Sequence, residues 1–296
     1  MKHCGYKEIE RLSVDEELKK VIGYHLVSFW RHLNVKRYSK VDDAFNFFIK
    51  DERGKVALID RIEEEIFSFE DKKVLDVGCG KGGLIISCAL RGSHAIGIDI
   101  DLSELRIAKL RAKKIDTVNL QLIRCSADIL PFRNNLFDLV TPTSVLEHVN
   151  TPEKVIKEMV RVLKSRGFIF ITGPSPSFPR EAHYKIFYIP YMPKKLGKIY
   201  LQLRGFNASF FLQEVTYPYP SASYIEQLLS LAGMVVENLT EKKIREKLKN
   251  PETVRNKAIR RLLQFITKLR LNHILAKIVC RLDIYPSFSI LARKIE

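Results

Sequence analysis

Apolar residues recur at three- and four-residue steps along Val14–Phe29 and Val56–Phe67 on otherwise charged stretches. That period predicts amphipathic helices in a leader over residues 1–70. From Lys73 the pattern changes to short β-rich runs alternating with helical ones. Strands are predicted at Lys73–Val77, Ala95–Ile98, Leu120–Cys125, Phe137–Val140 and Phe168–Thr172. Helices are predicted from about Gly83 to Arg91, Leu102 to Lys114 and Pro152 to Leu163. Such alternation marks an α/β domain with a mostly parallel sheet and helices on both faces. A helix at Ala222–Ala232, a turn at Gly233 and a strand at Met234–Leu239 follow, then a basic helical stretch and a final alternating run, Ser287–Ala292. Seven strands are thus expected, the last two forming an antiparallel edge. The core spans 71–240 and is interrupted at 174–220 by an irregular insertion rich in Pro, Tyr, Phe and Lys; 241–285 is a basic helical insertion, and 286–296 the final edge strand.

At 296 residues and 46% hydrophobic composition the chain has material for one main core. No run of 18 apolar residues occurs and the first ten residues are polar, so neither a spanning helix nor a secretory signal is indicated. The expected compartment is the cytoplasm, with peripheral membrane contact kept open. Five cysteines without C-x-x-C or Cys/His spacing argue against a zinc site and a disulfide framework. The net charge of +16 is uneven: from Glu241 onward, fifteen Lys/Arg stand against five Asp/Glu.

The stretch Val74-Leu-Asp-Val-Gly-Cys-Gly-Lys-Gly-Gly83 is an apolar strand ending in an acid and a glycine-rich turn that opens a helix. Glycines supply the backbone conformations of such a turn and let a ligand approach the main chain. About twenty residues on, Ile96-Gly-Ile-Asp99 places a carboxylate at the next strand end, where it can accept ribose hydroxyls. Together these imply a nucleoside ligand. The G-x-G-x-G spacing fits a dinucleotide pyrophosphate less well than G-x-G-x-x-G would.

From about Lys72 to Thr172 the sequence resembles the class I S-adenosylmethionine-dependent methyltransferases (methyltransferase type 11-like), with weaker support to the C-terminus. The resemblance implies a Rossmann-like doubly wound fold. It also implies that Asp76, Gly78, Cys79, Gly80 and Gly82 surround the methionyl part of the cofactor and that Asp99, with Ile100 beside it, holds the ribose. Ser126-Ala127-Asp128-Ile129-Leu-Pro-Phe132 resembles the adenine-binding segment, with Asp128 at the amino group and Ala127 and Ile129 flanking the ring. Phe137-Asp-Leu-Val and Ser144-Val-Leu-Glu147-His148-Val149 resemble the fourth strand and the turn after it, and Val162-Leu-Lys-Ser-Arg-Gly167-Phe-Ile-Phe-Ile resembles the approach to the fifth.

Simpler roles stand beside these: Asp76 and Asp99 as turn caps, Asp128 as a turn residue, Glu147 and His148 as a helix cap, Cys79 as a small residue in the turn. A hydroxyl acceptor needs proton removal, for which His148 and His183 are the candidate bases and Glu147 a residue that could orient His148. The resemblance extends to quinone-pathway enzymes in which a Glu-His pair holds a divalent metal, but two adjacent residues do not make a site, and no metal is assigned. Thr141-Pro-Thr-Ser144 lacks the signature of amide or adenine N-methylation, and no Pro-Cys nucleophile for cytosine chemistry occurs.

Val254–Leu282 holds eight Lys/Arg, no Asp or Glu, and apolar residues at helical spacing. Such a segment can pack on the domain, lie on an anionic membrane, or face nucleic acid. The expected function is methyl transfer from S-adenosylmethionine to a hydroxyl, or a carbon, of a small-molecule, glycan or lipid-linked acceptor, reached through 174–220. The alternatives are an RNA methyltransferase and a non-catalytic protein that binds the cofactor.

Overall fold

The computed structural model describes residues 7, 11, 15–35, 40–181, 183–184, 186–209, 219–253 and 257–295. Met1–Cys4, Val14, residues 210–218 and Val254–Asn256, all within sequence segments discussed above, lie outside them.

Seven strands form one sheet: β1 (Lys73–Val77), β2 (His94–Asp99), β3 (Leu120–Arg124), β4 (Phe137–Pro142), β5 (Leu163–Pro174), β6 (Met234–Asn238) and β7 (Ser287–Lys294). Their order is β3-β2-β1-β4-β5-β7-β6. The first five are parallel; β7 runs antiparallel to both β5 and β6. This is the doubly wound α/β arrangement with an antiparallel edge that the sequence pattern predicts. The last strand is not itself at the edge, however. It inserts between β5 and β6 and buries Phe288, Ile290 and Ala292, whereas β6 exposes Val235 and Glu237 at the rim. The eight-residue β7, buried along one face, gains more from two backbone partners than the five-residue β6.

Flanking the sheet are α3 (Gly83–Ala89), α4 (Leu102–Lys114), α5 (Pro152–Val162) and α7 (Ala222–Leu231). Apolar spacing explains which face each presents: α5 buries Val155, Ile156, Met159 and Val162 against β4 and β5. Side chains cap the helix starts: Asp101 accepts the Ser103 N–H at 2.7 Å before α4, and Ser221 accepts the Tyr224 N–H at 3.2 Å before α7.

The leader forms α1 (Glu16–His32) and α2 (Val41–Glu65). The second is longer than the predicted Val56–Phe67, because Phe45, Phe48 and Ile49 extend its apolar stripe toward the N-terminus. Leu18, Ile22 and Trp30 of α1 share a core with Phe45 and Phe48, with Ile86 and Ile107 of the sheet helices, and with Tyr184, Tyr188 and Leu201 of the insertion after β5. That insertion contains α6 (Lys194–Leu203). Leader and insertion therefore cover the same end of the sheet.

The basic insertion is three helices, α8 (Leu239–Lys249), α9 (Lys257–Lys268) and α10 (Asn272–Arg281). Within the described part of Val254–Leu282 the pattern read as one helix is broken at Arg270, whose φ is +56°, so that α10 folds back onto α8. Among the described residues no helix is long and apolar enough to cross a membrane.

Candidate active site

In a doubly wound sheet the chain leaves β1 toward β2 on one side while β4 lies on the other, and the crevice between their carboxyl ends is the place a ligand enters. The glycine turn sits there. Gly78 has φ +69°, and a Cβ on it would stand 2.4 Å from Val145 Cγ2 in the loop after β4. Only glycine permits both the conformation and that approach. The turn is tied down by the neighbouring strand: Gly80 N–H donates to Asp99 Oδ2 (2.8 Å), and Asp99 Oδ1 accepts the Asp101 N–H (2.9 Å).

Asp76, at the end of β1, is buried and accepts the Thr141 hydroxyl at 3.1 Å. Burial pushes its carboxyl up to about 7 against the opposing effects of that hydrogen bond and of Lys55. The Cys79 thiol is likewise pushed up, by burial and then by Asp76, which makes it an unreactive small side chain in the turn.

Beside the turn, Glu104 of α4 accepts both Lys81 (2.7 and 2.8 Å) and His25 Nε2 of α1 (2.8 Å). Burial opposes its ionisation, but the His25 hydrogen bond and Lys81 outweigh burial and hold the carboxyl at about 2. Deeper, Glu52 of α2 pairs with Arg111 of α4 and Lys55 (3.0 Å). It too is held at about 2, because the charges of Arg111 and Lys55 overcome complete burial.

Opposite the glycine turn lies a second cluster. Ser144, at φ +57°, donates its N–H to Thr172 O (2.9 Å) and turns the chain into a single helical turn, Leu146–His148. Glu147 is buried; burial pushes its carboxyl up to about 7, and its Oε2 has no hydrogen-bond partner among the described residues. After β5 the chain folds back on itself: Arg180 and Phe187 form a β-bridge and Glu181 N–H donates to Ile186 O (2.9 Å). This puts the His183 ring 5.3 Å from the His148 ring, edge to face. The carboxylate of Glu181 is buried and takes His183 Nδ1 (3.1 Å), the Tyr219 hydroxyl and the Tyr184 N–H. Burial opposes its ionisation, but these hydrogen bonds and His183 lower it below the usual value.

Both clusters face one cleft of about 1050 Å³, walled by Phe29, Trp30, Phe47 and Phe48 of the leader and by Phe178 after β5. Of the residues singled out in the sequence, Asp76, Gly78, Cys79, Gly80, Ser144, Glu147, His148 and His183 line it. Gly82, Asp99, Ile100, Ala127, Asp128 and Ile129 are not in its walls. Gly82 packs under Ala108, Asp128 accepts the Ser126 hydroxyl, and Ile100 and Ile129 stand exposed just beyond β2 and β3. His25, Lys55, Lys81, Glu104, Glu181 and Tyr219 were not found from sequence. Lys81 within the glycine turn and Glu181 two residues before His183 carried a local signal; the others meet the site only through packing. Among the described residues, no group of three His, Cys, Asp or Glu is arranged to hold a metal ion.

Residues 75–171 match the family described as Methyltransferase domain. Over 102 residues the chain is 38% identical to a ubiquinone biosynthesis O-methyltransferase of Albidiferax ferrireducens, covering 34% of this chain and 40% of that protein. It is 32% identical over 178 residues to a demethylmenaquinone methyltransferase of Staphylococcus saprophyticus, covering 58% of this chain and 74% of the relative. The chain spans less than half the length of the ubiquinone relatives it matches. In architecture it resembles the YcgJ protein of Bacillus subtilis, with a TM-score of 0.51, 17% identity, and coverage of 82% of this chain and 99% of that one. Motif order, sheet topology and a relative matched over 74% of its length converge: the chain belongs to the class I S-adenosylmethionine-dependent methyltransferases.

Proposed function

We propose that this protein transfers a methyl group from S-adenosylmethionine to a hydroxyl oxygen of a small-molecule acceptor with an apolar body. The observation that carries the reading is the Glu181–His183 pair facing the glycine turn across one aromatic-walled cleft. In this reading residues 1–70 act as the lid, 71–240 as the catalytic core with 174–220 on the acceptor side, 241–285 as a basic insertion, and 286–296 as the closing strand.

The residues present fit a zwitterionic nucleoside. Around Gly80 the nearest atom to an added Cβ would be Glu104 Oε2 at 3.7 Å, so the turn's backbone is open to a ligand. Asp76 offers an acid for an ammonium group, and Lys55 and Lys81 offer cations for a carboxylate. Gly78, Cys79, Gly80 and Gly82 shape the turn, and Ser144 borders it. Asp99 already accepts two backbone N–H groups, but each carboxylate oxygen keeps a second acceptor site for a ribose hydroxyl. The exposed Ile100 and Ile129, with Ala127 and Asp128, form the adenine end of this reading.

When bound, the cofactor supplies a methyl group on a sulfonium, activated for displacement. The chain's own work is to align, to exclude water and to take a proton. Glu181 holds His183 through Nδ1, and in this reading Nε2 takes the hydroxyl proton. Glu147 and His148 border the same space, where Glu147, near neutrality, has a hydrogen-bonding oxygen to offer the acceptor. The O-methyltransferase name of one relative and the quinone-precursor names of others support a small-molecule acceptor.

Calorimetric titration with S-adenosylmethionine and S-adenosylhomocysteine tests the cofactor; micromolar binding is expected, and a folded sample that binds neither overturns the reading. Labelled methyl donor with extracted small molecules, lipids and glycans then tests the acceptor. The label is expected in an ether of a small molecule; transfer to carbon or nitrogen overturns the hydroxyl assignment, and transfer to RNA overturns the small-molecule one.

A further inference from the structure

The function proposed above leaves α9 and α10 without a role. If their apolar residues packed on the domain, they would be buried. Several are not: Leu262 and Phe265 on α9, Leu269 and Leu271 in the turn after it, Ile274 and Ile278 on α10 and Leu282 just beyond are between 43% and 60% exposed. In α10 the fully buried residues are Ala276 and Cys280, on the opposite side of the helix from the Ile274–Ile278–Leu282 stripe, so the stripe faces away from the protein. In α9 no residue whose burial is described is fully buried, and the half-buried Leu263 and Ile266 lie beside the exposed Leu262 and Phe265. At 100° per residue Leu262, Phe265 and Leu269 fall in one sector and Lys257, Arg261 and Lys268 in another. Polar contacts to the fold include Gln264 Nε2 to Glu252 (2.6 Å) and Thr267 Oγ1 to Leu248 O (3.4 Å).

Charge selects the occupant. The described residues 257–282 carry seven Lys/Arg and no acid. A second copy meeting this face about a two-fold axis would bring these cations together. A nucleic acid would be served by the charges but not by an aliphatic stripe with a single aromatic ring, Phe265, for base stacking. An anionic bilayer accepts both features at once: the aliphatic and phenyl groups enter the acyl boundary while Lys and Arg reach the headgroup phosphates.

We infer that the exposed face of α9 and α10 is a docking surface for an anionic lipid bilayer. Its placement matters for the cleft, because the chain passes from the end of α10 at Arg281 to Pro286–Ser289, which form part of the cleft wall. The surface does not depend on the chemistry assigned to that cleft, and its test uses no methyl donor.

The test is co-sedimentation of the full chain with vesicles of equal parts phosphatidylglycerol and phosphatidylcholine, and with phosphatidylcholine alone. Binding to the anionic vesicles is expected, at least about tenfold stronger than to neutral ones and weakened by salt. Two double variants, Phe265→Ser with Ile274→Ser and Arg261→Glu with Lys277→Glu, alter only exposed side chains; each is expected to lose at least about tenfold in binding with an unchanged melting temperature. A folded wild-type chain that stays in the supernatant, or variants that bind equally well, overturns the proposal. A dimer in sedimentation velocity that the first variant dissolves, without vesicle binding, overturns it in favour of a second copy. Tight binding of an RNA oligonucleotide unaffected by Phe265→Ser, again without vesicle binding, overturns it in favour of nucleic acid.

Discussion

Glu181 Oε1 lies 3.1 Å from His183 Nδ1, and the Tyr219 hydroxyl donates to the same carboxylate. A buried carboxylate accepting from Nδ1 favours the tautomer with the proton on Nδ1, and His183 lines the cleft.

Replacing His183 with Ala is therefore expected to lower kcat about 10²- to 10⁴-fold, the range of a general base. Glu181→Gln, which keeps the shape but not the charge, is expected to lower kcat about tenfold or more while cofactor affinity by calorimetry stays within about twofold. A loss of affinity equal to the loss of rate would instead make Glu181 a purely structural residue.

Asp99→Ala removes the acceptor for the Gly80 and Asp101 N–H groups together with the proposed ribose contact. Cofactor binding is expected to weaken by about 1–3 kcal/mol, read by titration calorimetry on protein whose circular dichroism is unchanged. Unaltered affinity would remove Asp99 from the cofactor site.

Glu147 is a carboxyl that burial raises to about 7. The unfolded chain releases this proton near the ordinary value of 4.5 while the folded chain retains it, so stability falls as pH rises from about 4.5 through 7. Glu147→Gln is expected to leave the melting temperature at pH 4 nearly unchanged. At pH 8 it should stabilise the ligand-free protein by about 1–3 kcal/mol, as read in thermal scans. Equal effects at both pH values would exclude a raised titration.

Glu52 has the opposite sign. Its carboxylate rests against Gly83, where a Cβ would come within 2.2 Å, and it is held at about 2 by Arg111 and Lys55 despite burial. Its contribution is present above about 4.5 and is lost as pH falls toward 2. Glu52→Ala leaves Arg111 buried without this partner and is expected to cost about 3–5 kcal/mol at pH 7, measured by denaturant unfolding. The deficit should shrink as pH falls from about 4.5 toward 2; a deficit undiminished at pH 2 would assign it to packing.

How much of this was legible beforehand follows from the range of the forces involved. The strands and helices between Lys73 and Thr172, and the glycine turn at their start, rest on periodicity and local backbone conformation, which a sequence states directly. The sequence also marked His148, His183 and Glu147, though it had no means of choosing among them. The proposal of His183 rests on Glu181 and Tyr219, separated by 38 positions and joined only when the insertion folds over the sheet end.

The leader shows the same division. Its helical period was readable, but that Glu52, Lys55 and His25 reach the glycine turn was decided by where α1 and α2 dock. The position of β7 between β5 and β6 likewise depends on competition among strands for backbone partners, and no single segment records it. In Val254–Leu282 the amphipathic pattern is the same whether the apolar side is buried or bare. Sequence determined that two faces exist; tertiary structure alone decided that, along α9 and α10, Leu262, Phe265, Ile274 and Ile278 meet solvent while Ala276 and Cys280 are buried, because burial is a property of neighbours and not of the helix that carries them.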